Sequence, residues 1–90
     1  MVLENINISV GLGFVAVANP RGAYGGKVML KARDNAAFQV SDTSAGTNYL
    51  TTVASLPLVV TALPDGSAAG SPVLCYVKGT STTVLEVLAM

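Results

Sequence analysis

The chain has 90 residues, 51% hydrophobic and 11% charged, with five basic side chains balancing five acidic ones, a single cysteine and no histidine. That length holds one domain, since domains run from about 50 to 250 residues, and a domain this small buries little more than ~60% of the surface its unfolded chain exposes. The composition excludes an intrachain disulfide and a thiolate- or imidazole-based metal site, argues against an electrostatic grip on nucleic acid, and leaves association as the way to supplement a small core.

In chain order, the first predicted strand is Leu3 to Val10, where Ile6, Ile8 and Val10 alternate with Asn5, Asn7 and Ser9. Gly11-Leu-Gly13 breaks it, and Phe14 to Ala18 is a short apolar continuation that pairs back or docks on a neighbour. Asn19-Pro-Arg-Gly22 and Gly25-Gly26 bracket a loop holding Tyr24. Residues 1–26 therefore read as an N-terminal strand and extended arm, and 27–90 as the core. Lys27 to Arg33 is a strand with Val28 and Leu30 on one face and Lys27, Met29 and Lys31 on the other. Asp34-Asn35 has turn chemistry, and Ala36 to Ser41, with Phe38 and Val40 on one face, is the expected second half of a hairpin.

Asp42 to Asn48 is a polar loop, and Tyr49 to Ala54 is β-prone. Leu58 to Leu63 has the unbroken apolar character of a buried strand. Pro64-Asp-Gly-Ser67 is a turn, extended by Ala68 to Pro72. Val73 to Lys78 is a strand, Gly79-Thr-Ser81 a tight connection, and Thr82 to Leu88 a last strand with Val84, Glu86 and Leu88 opposed to Leu85 and Val87. Helical periodicity is nearly absent. Six to eight short strands between turn signals predict an all-β fold, a small antiparallel β-sandwich or β-barrel with an extended N-terminal arm.

Catalytic chemistry has little to stand on. Without histidine the usual base of serine and cysteine triads is missing. Of the carboxylates Glu4, Asp34, Asp42, Asp65 and Glu86, four sit in or beside turns or in the N-terminal segment, where turn formation is the default role of Asp. Cys75, between Leu74 and Tyr76, reads as a small buried hydrophobe. Gly11-Leu-Gly13 lacks the following helix that a phosphate loop needs. The aromatics Phe14, Tyr24, Phe38, Tyr49 and Tyr76 are spread one per element, as anchors of a core or an interface are. The expectation is no enzyme: no catalytic, cofactor-binding or metal-ligating residue, and no cofactor.

What remains is surface. At 11% charge, against a norm of about 25%, a small domain must cover itself with Ala, Ser, Thr, Gly and aliphatic side chains; such surfaces either face a partner or aggregate, the alternative being a neutral monomer solubilised by Ser and Thr. Lys27, Lys31 and Arg33 form a locally basic strand face blunted by Asp34, which reads as solvated rather than RNA-binding. Ile8 to Ala18 is too short for a membrane span, which needs ~20 residues, and Glu4 before it is unlike a signal peptide. Neither nucleic acid nor membrane is an expected partner.

Phe38 to Asp42, Gly46 to Leu50, Leu56-Pro-Leu58, Tyr76 to Thr80 and Val84 to Val87 resemble a class of small structural virion proteins of tailed bacteriophages. In that class a polar loop, a Leu-Pro-Leu-like strand and a turn precede a Tyr-Val-x-Gly-Thr hairpin and an aliphatic last strand. The likeness runs from Lys27 to the C-terminus. It implies a β-sandwich or barrel in a homo-oligomer, a trimer by preference, bound to the major capsid protein. The chain would then be a head decoration (cement) protein on the capsid exterior, made in the host cytoplasm. A tail, fibre or head-to-tail component is the alternative within the class; a host- or carbohydrate-binding β module is the alternative outside it.

Overall fold

A computed structural model describes residues 2–18, 27–61 and 73–89. They form eight strands and no helix: β1 (Val2–Ile8), β2 (Val15–Ala18), β3 (Lys27–Ala32), β4 (Phe38–Ser41), β5 (Tyr49–Thr51), β6 (Leu58–Thr61), β7 (Val73–Gly79) and β8 (Thr83–Ala89). Two four-stranded sheets pack face to face, sheet A in the order β1-β8-β3-β6 and sheet B in the order β2-β7-β4-β5. The expected all-β sandwich is the fold.

Every ladder is antiparallel. The pairs β1 with β8, β2 with β7, β3 with β6 and β4 with β5 nest inside one another, and β3–β8 and β4–β7 complete the two sheets. That nesting is the double Greek key of a jelly roll.

Alternation builds the core. Sheet A turns Ile8, Val28, Leu30, Ala32, Leu85, Val87 and Ala89 inward, and sheet B supplies Val17, Phe38, Cys75 and Val77. Phe38 is the largest fully buried side chain. It lies opposite Gly79 in the β4–β7 ladder. Ser41 is the one buried polar residue identified among those described, and it is satisfied: its hydroxyl donates to the Asn48 carbonyl at 2.7 Å and accepts from the Thr43 N–H at 3.2 Å.

Four sequence expectations change. The predicted N-terminal arm is part of the sandwich over its described residues: β1 pairs with β8 through all seven of its residues, β2 pairs with β7, and Ile8 and Val17 are core. Burial of that alternating apolar face outweighs the glycine breaks that suggested detachment. The predicted hairpin of Lys27–Arg33 with Ala36–Ser41 is instead a corner, because β3 lies in sheet A and β4 in sheet B. Asn35 takes the left-handed conformation (φ 62°), its N–H reaches the Ala32 carbonyl at 3.1 Å, and Asp34 Oδ1 accepts from the Ala36 N–H at 3.2 Å. That turn chemistry serves a hairpin or a corner equally.

The hairpin implied for the last two strands is likewise a corner, with β7 in sheet B and β8 in sheet A. Finally, Leu58–Thr61 is an edge strand with Val59 exposed rather than a buried strand. The Tyr24 loop and the turn at residues 64–67 lie outside the described residues.

At the β7–β8 corner, a Cβ on Gly79 would lie 2.7 Å from the Ser81 carbonyl oxygen and 2.9 Å from the Ser9 nitrogen, both backbone atoms that cannot swing aside. Gly79→Ala should therefore cost about 1–3 kcal/mol through overpacking. Gly11→Ala, whose Cβ would meet nothing nearer than the Ser9 hydroxyl at 4.0 Å, should stay within ~0.5 kcal/mol of the parent. Urea denaturation of the two variants side by side measures the difference.

Candidate functional site

The residues singled out from sequence do not converge on one place. Glu4 lies on β1 and Glu86 on β8, Asp34 occupies the β3–β4 corner and Asp42 the β4–β5 loop, while Asp65 is outside the described residues. Among the described residues no three His, Cys, Asp or Glu side chains group closely enough to hold a metal ion. Cys75 faces the core beside Val17, and burial pushes its thiol from an ordinary 9.0 up to about 11. The carboxyl of Asp34 is held below its usual range, first by the Thr83 hydroxyl and further by the Ala36 N–H and nearby Lys31, against a smaller desolvation effect. That arrangement ties down a corner.

The two outer faces differ. On sheet B, Phe14 leads into β2 after the left-handed Gly13 (φ 67°) and lies over the sheet. Its ring centroid is 6.1 Å from that of Tyr49, and the Lys78 ammonium sits 5.9 Å from the ring. The β4–β5 loop folds back against it at Gly46 (φ 68°), where any side chain would collide with the Phe14 ring. Loop and Phe14 ring cover part of that face, while Tyr49 stays 54% exposed and the outward residues of β2 and β5 are open.

Sheet A carries an apolar row on its outer face instead. Leu3 is opposite Leu88, Leu88 opposite Met29, and Met29 opposite Val59, so one row crosses all four strands. Leu3 is 71% exposed and Val59 49%. Beside it runs a polar row in which Glu86 lies between Asn5 and Lys31. Arg33 Nε donates to Glu86 Oε2 at 3.1 Å, so the basic face expected from Lys31 and Arg33 is interrupted by a carboxylate. Both side chains are about half exposed, and such a pair contributes roughly 0–1 kcal/mol. The rows form a shallow concavity of about 380 Å³ that includes Leu3, Asn5, Met29, Lys31, Glu86 and Leu88.

A third feature is the end where the corners gather. The Ser55 N–H bonds to the Asn35 carbonyl at 2.9 Å, the Thr80 hydroxyl to the Ala37 carbonyl at 2.7 Å, and Gly79 abuts Ser9. The β1–β2, β3–β4, β5–β6 and β7–β8 connections thus share one end of the sandwich. Val10, Leu12, Val53 and Leu56 project there, each more than half exposed. Sequence reading did not identify this end or the sheet A row. The available signal was apolar residues at polar-face positions, Met29 and Leu88 among them.

For Cys75, stability owed to the protonated thiol is full below pH 9 and is lost as pH rises towards 11, since the folded state holds its proton longer than the unfolded one. Cys75→Val should flatten that part of a stability–pH curve relative to the parent. Thiol labelling at pH 8 should be slow until denaturant is added. The chain matches no protein-family model and no curated protein.

Proposed function

We propose that this chain is a structural subunit of a virion, a decoration (cement) protein of a tailed bacteriophage that binds the outside of the major capsid shell. The observation that carries the reading is the corner end of the sandwich, where Val10 and Leu12 at one edge and Val53 and Leu56 at the other stand exposed. Four apolar side chains on the connections of one end suit contact with a protein surface better than contact with water. The low charge of the whole chain, the jelly-roll topology common among capsid and lectin domains, and the likeness to small phage virion proteins support it.

Magnitudes shape the mechanism. Covering those four side chains contributes about 8 kcal/mol gross at ~25 cal/mol per Å². Association costs about 4–15 kcal/mol in lost freedom. A single copy would bind weakly, and a homo-oligomer binding several capsid subunits at once would gain by effective concentration. Linking subunits across their boundaries is what opposes expansion of a shell. The reading is mechanical and uses no bond-making chemistry.

Quantitative mass spectrometry of purified particles tests it. The expected result is a copy number in fixed stoichiometric ratio to the major capsid protein, with loss of thermal stability of the shell when the chain is omitted. A few copies per particle would point to the tail or the head-to-tail junction. Absence from particles would sink the virion reading.

A further inference from the structure

The two sheets have four outer strands, and three of them are poor templates for another strand. In β2 the ladder shifts register between Val17 and Ala18, β5 has three residues, and β6 has four. Bulges and short length are common ways of protecting a sheet edge. β1 differs: seven residues, no proline, no register shift, and one charge, Glu4.

The side of β1 that faces away from β8 follows from the ladder. The Arg33 N–H donates to the Val84 carbonyl at 2.8 Å, and Arg33 and Val84 are directly opposed by continuation of the β3–β8 register. Since hydrogen-bonding direction alternates along an antiparallel strand, Val84, Glu86 and Leu88 point their backbone groups to β3. Thr83, Leu85, Val87 and Ala89 point theirs to β1. Their partners Ile8, Ile6, Glu4 and Val2 are thereby used. The N–H and C=O groups of Leu3, Asn5 and Asn7 face the open edge, unpaired among the described residues.

We infer that this edge pairs with β1 of a second copy, antiparallel about a two-fold axis at Asn5, joining two A sheets into one of eight strands. The inference rests on the reading of the chain as an assembly subunit. The strand is self-complementary in this register. Asn5 meets Asn5 of the second copy and Leu3 meets its Asn7, so the open-edge residues pair only with one another and make six backbone hydrogen bonds. A shift by one residue would set open-edge groups against groups already used. Glu4 falls opposite Ile6 of the second copy rather than opposite another carboxylate. The two Glu86 side chains are three strand spacings apart, ~14 Å, beyond the screening length of about 8 Å at physiological salt. Pairing β1 with β6 of another copy would use the four described residues of β6.

Asn5→Pro tests the edge, because it removes a donor that β8 does not use. Sedimentation of the variant should show monomer where the parent is a dimer, with the β spectrum retained. Asn5→Cys supplies a second readout. Opposed residues of a hydrogen-bonded pair have Cα atoms ~5.5 Å apart, within disulfide reach, so mild oxidation should crosslink two chains through this position. Asn7→Cys should not crosslink, its counterpart being ~13 Å away along the strand. A trimer, an oligomer that Asn5→Pro leaves intact, or failure of Asn5→Cys to crosslink would overturn the pairing and leave the assembly reading standing. A parent chain monomeric at every concentration would also overturn the pairing, and co-sedimentation of that monomer with capsids would then decide the assembly reading separately.

Discussion

The fold turns on the corner at Gly79. The chain leaves sheet B there and enters sheet A within a few residues, and the backbones of Ser9 and Ser81 come too close for any side chain. That closeness lets β7 and β8 lie in different layers while remaining consecutive. Each is then an inner strand of its sheet, β7 between β2 and β4, and β8 between β1 and β3. Their inward residues Cys75, Val77, Leu85 and Val87 form the middle of the core. Phe38 lies opposite the same glycine in the β4–β7 ladder.

The strands were legible in the sequence because alternation is a local property. Val28 and Leu30 against Met29 and Lys31, or Leu85 and Val87 against Glu86 and Leu88, mark a two-residue period with one buried face. The pairing was not legible. Asp34-Asn35 and Gly79-Thr-Ser81 look the same locally whether the chain doubles back within a sheet or crosses to the other. The choice is made by distant strands: β8 takes the place beside β3 that a hairpin would have given β4. The N-terminal segment reads as an arm for the same reason, since the partner that holds β1 in place is β8, the described strand most distant from it in sequence.

The surfaces show the converse. Sequence composition indicated that exposed apolar area had to exist, and the topology decides where. Sheet B covers part of its outer face with a loop and the Phe14 ring, whose close approach requires a glycine at 46. Sheet A leaves an apolar row open across four strands, and the corner end leaves four aliphatic side chains. Individually each such residue is unremarkable on a protein surface. Their placement on one face and at one end is set by the topology, and no local pattern in the chain encodes it.

The central placement of β8 also governs how the molecule can be made. During synthesis β1 emerges before the other seven described strands, and the strand it pairs with emerges after them. Until residues 83–89 are free of the ribosome, sheet A lacks an inner strand rather than an edge, and β1 has no intramolecular partner. Among the described strands only the β4–β5 hairpin joins consecutive strands within one sheet, so it is the natural first closure, with the outer pairs following as the nest fills. Completion of the fold thus waits on residues 83–89, and a product lacking that strand loses the middle of a layer.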